Sequence, residues 1–597
     1  MFKKSFSFIL MFVLLISCFL VPVSKAKEAD PFTLNIGWTS EPDSISPFIA
    51  YSISATEIFK LIYDPLVAFD NDVKPVGRLA KDWSVSDDRL TWTFHLQEGV
   101  KWHDGEPFTS ADVKFTYETL QESGLGLYAG YLDGITSIET PDDLTVVMKT
   151  DKPKANMLQS TTPILPKHIW EDVSMEDLET WPNEAPVGTG AFKFVEFKKG
   201  EFIKLEKNED YFYKKANIDN LVFILYANTD TMVQSLKIGE IDSAINLGAN
   251  QVPLLEKEKD IDVVSTSTHG FTELSINSWP DPKSKGNPLL LNKDIKHAIS
   301  YAIDKQKIVD VAYAGQATPG TTLIPPSLEF WHYEPSKEEL RSYSPDKAKE
   351  TLDSAGFTDR DGDGIREDSE GNPLKFRLML RSKTSEEVRA GEMIESMLEK
   401  VGIGTEIETV DDGLLGDRIY DDADFDMFIW GWGTDADPTT ILRVMTSDQI
   451  GNLSDSYYAN EEYDKLLQEQ ATTIDEENRQ DVVYNMQKML YDDAPYIILM
   501  YENAIQAVNT DKLEGWTKVN GVYFFAFNNE NYLNVKPVSA AGDSGAKDNE
   551  SDVAGASEDS SSSSTVLWTI LIIAVLAVGG VVIARRKNKG VSIDDDM

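Results

Sequence analysis

The chain has 597 residues, a formal net charge of −44 and one cysteine, Cys18. So acidic a surface argues against nucleic acid or anionic lipid as a partner, because phosphate backbones are bound by fields of Lys and Arg. With Cys18 inside an apolar leader, a mature protein has neither a disulfide nor a cysteine nucleophile, and a chain this long is expected to divide into at least two domains.

Lys3 and Lys4 precede an apolar run from Phe6 to about Val23, and Ser24-Lys25-Ala26 follows it. This is the layout of a secretory signal peptide, residues 1–26. Cys18 can be read as part of the apolar signal core or as a lipidated cysteine. Leu15-Ile16-Ser17 before it and Phe19 after it make a poor lipoprotein pattern.

Alternation predicts strands at Leu90–Leu96, Leu144–Met148 and Phe192–Val195. Thr109 or Ser110 is placed to cap a helix carrying Val113, Phe115 and Leu120, with Asp112 near its positive end. A helix from Asn292 to Ile303 puts Ile295, Ile299 and Ala302 on one face, and another runs from Lys305 to about Tyr313. Further helices are expected at Glu386–Lys400, Glu462–Gln470 and Glu476–Asp492. Strands interleaved with helices indicate an α/β protein.

Asp359, Asp361, Asp363, Glu367 and Glu370 stand at positions one, three, five, nine and twelve of a twelve-residue segment. Gly362 and Gly364 interrupt it, and the Ile365 carbonyl falls at seven. That is close to the ligand spacing of a calcium loop, with an oxygen-only donor set suited to a hard cation. Glycine at position six is the one calcium loops require, and Gly364 holds it. A structural calcium ion there would pin the loop before the strand Leu374–Leu380; the alternative is a solvated acidic turn.

Residues 537–565 are rich in Ser, Gly, Ala and acidic groups and lack the apolar side chains to offset the entropy of folding. They read as a flexible tether or a passive stalk. Val566–Ala584 follows without a charge, and as a helix it would span about 28 Å. Arg585, Arg586, Lys587 and Lys589 come next, which places the tail 585–597 in the cytoplasm. The expectation is a single-pass protein of the cell membrane with its large domain outside.

Several blocks of the chain carry a family likeness. They are Trp92–Val113 (WTFHLQEGVKWHDGEPFTSADV), Pro186–Phe192 (PVGTGAF), Leu236–Asp242 (LKIGEID), Ala298–Lys305 (AISYAIDK) and Gly431–Pro438 (GWGTDADP). Together they resemble the extracellular solute-binding proteins of the dipeptide, oligopeptide and nickel class of ABC importers, over about Pro31–Leu533. The resemblance implies a two-lobed, periplasmic-binding-protein-like clamshell with an extra subdomain in the first lobe. On this chain lobe I would be 27–270, with the subdomain at roughly 64–211. Lobe II would be 271–503, and 504–536 would return to lobe I. Crossings are expected near Thr268–Ser275 and Met500–Asn509.

The resemblance also implies a peptide ligand, with separate permease and ATPase subunits as partners and a monomeric head. The family's aspartate that pairs with the α-ammonium of a bound peptide falls on Asp435. Capping of the helix after Pro438 is the other reading of that residue. Trp430, Trp432, Gly433 and Thr434 would form walls beside it. Glu273 lies on the crossing strand, where it could line a wetter pocket or accept a second positive group. Glu41 belongs to a segment resembling the first cleft-facing loop. Gly188–Ala191 reads as a turn feeding a strand, or as backbone lining the cleft.

No HExxH, GxSxG or glycine-rich nucleotide loop occurs, and the six histidines show no ligand spacing. Binding, not catalysis, is the expected work. The competing readings are import of an oligosaccharide or nickel chelate, and a tethered peptide sensor uncoupled from transport.

Overall fold

The structure is a computed structural model that describes residues 31–526 and 528–538. A twelve-stranded sheet runs through these residues, and the strand Tyr496–Asn509 lies at its middle. The first part of that strand pairs antiparallel with Gly270–Ile276 and with Ala317–Pro319. Its second part pairs with Ile261–Ser267 and Ser243–Ala244. Thr268 and His269 separate the two long partner strands, so two adjacent antiparallel segments pass together from one half of the sheet to the other.

On one side Thr33–Trp38 runs parallel to Asn220–Leu225 and Ser243–Ala244, and Phe202–Lys207 and Phe192–Lys198 extend the sheet. On the other side Lys375–Arg381 runs parallel to Gly404–Val410 and Met427–Gly433. Separate cores sit on the two sides. One includes Leu34, Phe48, Phe94, Phe192 and Tyr532, and the other Leu274, Ile299, Leu378, Ile394 and Leu499. The fold is α/β and two-lobed.

A four-stranded antiparallel sheet, in the order Ala80–Val85, Thr91–Leu96, Thr145–Thr150, Ile135–Asp142, stands apart from the large one. The alternation read from sequence is the reason it forms. Trp92, Phe94 and Leu96 are buried, while Thr91, Thr93 and His95 between them are half-buried. The helix Ser110–Ser123 starts at Thr109, whose backbone N–H donates to Asp112 Oδ2 at 2.8 Å. It ends on Gly124 at φ 66°, a left-handed conformation that glycine adopts without a Cβ penalty. In the helix Lys293–Ala302 the Asn292 side chain accepts from the Asp294 N–H, and Ile295, Ile299 and Ala302 are buried as their spacing requires.

The structure corrects the expected architecture at its C-terminus. No helix among the described residues is long and apolar enough to cross a membrane. The apolar stretch Val566–Ala584, on which the transmembrane helix was expected, lies outside the described residues, as do the signal peptide, Cys18, most of the tether and the tail 585–597. The physical reason for the difference is that hydropathy alone carried the expectation, and no element of the described fold adds to it. Membrane attachment through that helix, and the single-pass placement built on it, are withdrawn with it.

Candidate functional site

The strand Met427–Gly433 lies against Gly270–Ile276 along its whole length, from Met427 opposite Ile276 to Gly433 opposite Gly270. On its other edge only Met427 and Phe428 are paired, with Leu378 and Met379. Ile429–Gly433 therefore has a strand on one side only among the described residues. Gly431 and Gly433 are exposed there and bring backbone without side chains to that edge. Trp430 and Trp432, two residues apart, share one face of the strand. The Trp430 ring lies 4.9 Å from the Arg381 guanidinium carbon, and Trp432 Nε1 donates to Asp455 Oδ2 at 3.1 Å.

Beyond the strand, Thr434 donates its N–H to the His269 carbonyl at 2.7 Å, and its hydroxyl donates to the same oxygen. This ties the strand end to the point where the chain passes between the lobes. Asp435 follows. Its Oδ2 accepts from the hydroxyl of Tyr131, in the short helix Ala129–Leu132 of the other lobe, at 2.7 Å. Burial pushes the Asp435 carboxyl up from its ordinary pKa. The hydroxyls of Tyr131 and Thr440 pull it back, and the charge of Asp437 opposes them. Among the described residues no basic side chain is seen to stabilise it.

Asp437, two residues on, is used differently. Both its oxygens accept from Arg479, at 2.6 and 2.9 Å, and Asp437 Oδ1 also accepts from the Thr439 N–H at 2.9 Å. This buried pair fixes the helix Thr439–Val444 against Glu476–Asp493. Of two neighbouring enclosed carboxylates, one is neutralised inside the fold and the other has no cation beside it.

The same region makes further contacts between the lobes. The Ala155 N–H donates to the Ala471 carbonyl at 2.9 Å, and Arg443 Nη1 lies 3.5 Å from Asp133 Oδ2. Tyr131 is the partner of Asp435 that sequence reading missed. It lies outside the matching blocks, and no spacing rule links it to a group roughly 300 residues away.

The other expected site residues are placed as follows. Glu273 is fully buried opposite Trp430, with neither carboxylate oxygen hydrogen-bonded. Glu41 accepts from the backbone N–H of Gly200, at the turn between Phe192–Lys198 and Phe202–Lys207, away from Asp435. Gly188 and Gly190 pack against the end of the helix Ile53–Ile62. A Cβ on Gly188 would stand 1.9 Å from the Ile62 carbonyl oxygen.

Asp359, Asp361, Asp363 and Glu367 each offer a carboxylate oxygen, and these oxygens lie within 4.8 Å of one another. Local bonds shape the loop: Asp359 accepts from the Gly362 and Gly364 N–H groups, and Asp363 from that of Ile365. Gly362 and Gly364 both have positive φ, at 82° and 94°. Glu370 is not among the converging carboxylates, and Glu367, at position nine, is the buried member. The donor set is all oxygen and can coordinate a divalent cation.

Two lobes joined by crossing strands, with a polar and aromatic strand end enclosed between them, define a clamshell binding protein. The family follows from comparison. The chain belongs to the bacterial extracellular solute-binding proteins, family 5, whose middle segment matches residues 74–452. It is 27% identical over 503 residues to the oligopeptide-binding protein AppA of Bacillus subtilis, covering 83% of this chain and 90% of that one. The structure of AppA in complex with a nonapeptide superposes with a TM-score of 0.70 at 25% identity, over 85% of this chain and 100% of that one. Campylobacter jejuni NikZ in complex with Ni(L-His) gives 0.68 at 25% identity, over 81% and 95%. The glutathione-binding protein GsiB of Pectobacterium atrosepticum is 26% identical over 511 residues, covering 83% of this chain and 92% of that one. The chain is thus the substrate-capturing component that serves an ABC permease, and it is not an enzyme.

Proposed function

We propose that this protein captures peptides with a free amino terminus and presents them to the permease. The observation that carries the reading is Asp435, an enclosed carboxylate with no basic partner, two residues past a strand edge that is open from Ile429 to Gly433. A peptide's α-ammonium would pair with Asp435, and lower effective dielectric in the cleft strengthens that pair. The open edge suits main-chain pairing with an extended ligand, where exposed Gly431 and Gly433 allow close approach. Trp430 and Trp432 would supply the flanking apolar wall. Closure of the lobes would bring Tyr131 onto Asp435, as in the present geometry. Lobe I is assigned to 27–270 and 504–536, lobe II to 271–503. The likeness to an oligopeptide-binding protein agrees with this ligand class.

Native mass spectrometry of the purified protein tests the ligand class by identifying what co-purifies. A peptide is expected; a sugar or a nickel complex with no peptide overturns the reading. A second reading concerns the loop 359–370. Convergence of four carboxylate oxygens within 4.8 Å supports a structural calcium ion held by Asp359, Asp361, Asp363 and Glu367, with the Ile365 carbonyl and Glu370 as further candidate donors. Its test is the melting experiment argued below.

A further inference from the structure

Behind the two tryptophans lies a group of polar atoms that the peptide reading does not use. Glu273 shares a sheet face with its cross-strand neighbours Trp430 and Ile498, and Ser275 lies two residues along on the same face. Among the described residues neither oxygen of Glu273 nor the hydroxyl of Ser275 has a hydrogen-bond partner, although both side chains are fully buried. Asp455 stands among them, 1% exposed, and accepts from Trp432 Nε1 at 3.1 Å and from the Tyr496 hydroxyl.

The composition of this group is one-sided. Two carboxylates supply only acceptors when ionised, and serine hydroxyls can accept as readily as donate. No basic side chain is bonded to any of them. Arg381, whose charge favours the ionised Glu273, is taken by Glu387, which receives two of its N–H groups. A buried carboxylate left without a donor, as Glu273 is, costs the fold free energy. A ligand that brings N–H donors and positive charge, and no acceptors, would remove that cost. Guanidinium and ammonium side chains have that chemistry. Trp432 links the group to the cleft, since its indole is both part of the strand-end wall and a donor to Asp455.

We propose that Glu273 and Asp455, with the hydroxyl of Ser275, form a subsite for a basic side chain of the bound peptide. This rests on the peptide reading above and narrows it, from peptides in general to peptides carrying arginine or lysine. Burial, and the charge of Asp455, push the Glu273 carboxyl well above its ordinary pKa. An entering cation would favour the ionised form instead.

The test is calorimetry on the purified protein with three sets of short free-amine peptides, carrying one arginine, one glutamine or only alanine, the arginine and glutamine being moved through each position. For at least one position the wild type should bind the arginine peptide ten-fold or more tighter than its glutamine match. Glu273→Gln, which keeps the shape and removes the charge, should bring that ratio to within about three-fold. Asp455→Asn should shrink it in the same direction and carries the test if the first variant does not fold. If the alanine peptides bind and arginine confers no preference, the subsite is wrong and the peptide reading stands. A preference that survives both substitutions also overturns the subsite. If none of the peptides binds, the peptide reading fails and the subsite with it.

Discussion

Asp435 and Asp437 show how two like residues, two positions apart, take different roles through their neighbours. Asp437 is neutralised by Arg479 inside the fold, so its charge is already matched. Asp435 has only hydroxyl partners. Asp435→Asn should therefore weaken binding of free-amine peptides by roughly 10- to 100-fold, the range for loss of a charge-assisted hydrogen bond worth about 1.5–3 kcal/mol. Matched N-acetylated peptides should bind wild type and variant alike, and calorimetry on the four combinations separates the outcomes. Equal wild-type affinity for free and acetylated peptides would show that Asp435 does not read the amine.

His103 allows a prediction about pH at the same scale. Its Nδ1 accepts from the Gly188 N–H at 3.2 Å, and its Nε2 donates to the Gly190 carbonyl at 3.0 Å. Only the neutral ring can do both, and burial lowers its pKa from an ordinary 6.5 to about 4. Between those values the unfolded chain binds the proton and the folded chain does not. The His103 contribution is thus complete above about 6.5 and is lost as pH falls towards 4, by ~3 kcal/mol in all. His103→Gln should flatten the acid limb of a plot of melting temperature against pH. An unchanged limb would mean that His103 is not held neutral.

At the scale of elements, regular structure was legible in the sequence because pattern and capping agree. The strand Thr91–Leu96 and the helices Lys293–Ala302 and Glu476–Asp493 lie where periodicity put them. Segments whose meaning depends on a distant partner were less legible. The glycines of Pro186–Phe192 carried two readings from sequence. The structure seats Gly188 and Gly190 on the carbonyls of Leu61 and Ile62, with no room for a Cβ. Glu41 accepts from Gly200, a contact within the first lobe that no local pattern announces. The acidic loop was readable because its carboxylates lie close together in sequence; four of them converge, Glu367 being the buried one, and Glu370 stands outside that group.

That loop carries the prediction belonging to this scale. An ion held by Asp359, Asp361, Asp363 and Glu367 binds only the folded loop, so it stabilises by about 2.7 kcal/mol when free calcium is 100 times its Kd. Chelation should lower the melting temperature of the protein, and added calcium should restore it. Asp361→Ala combined with Asp363→Ala should abolish the response. Peptide affinity should change little, because the carboxylates of Asp361 and Asp363 accept from N–H groups of the loop itself, those of Asp363 and Ile365. A melting curve indifferent to both chelator and calcium would leave a solvated acidic turn.

On the scale of the whole molecule, contacts between the lobes beside Asp435 include the Tyr131 hydroxyl on Asp435, the Ala155 backbone on Ala471, and the exposed Arg443 beside Asp133. The last is a long, solvent-screened pair worth about 0–1 kcal/mol. The Tyr131 bond is enclosed and is made to a carboxylate, so a value near 1.5–3 kcal/mol is appropriate. The Tyr131 bond is then the strongest of these three contacts. A carboxylate has acceptor positions enough for Tyr131 and a ligand ammonium together, so ligand and lobe contact support one another.

Removing the hydroxyl should move the unliganded protein towards the open form, and apparent affinity falls by the fraction of binding-competent molecules lost. Tyr131→Phe is therefore expected to raise the radius of gyration of the unliganded protein in small-angle scattering. It should also weaken peptide binding by up to roughly 10-fold, the equivalent of about 1.4 kcal/mol. Saturating peptide should return the variant to the wild-type radius, because the closed geometry itself is unchanged. Arg443→Ala should do far less, as a rim pair does. If Tyr131→Phe leaves both radius and affinity at their wild-type values, the contact follows closure and does not help to hold it.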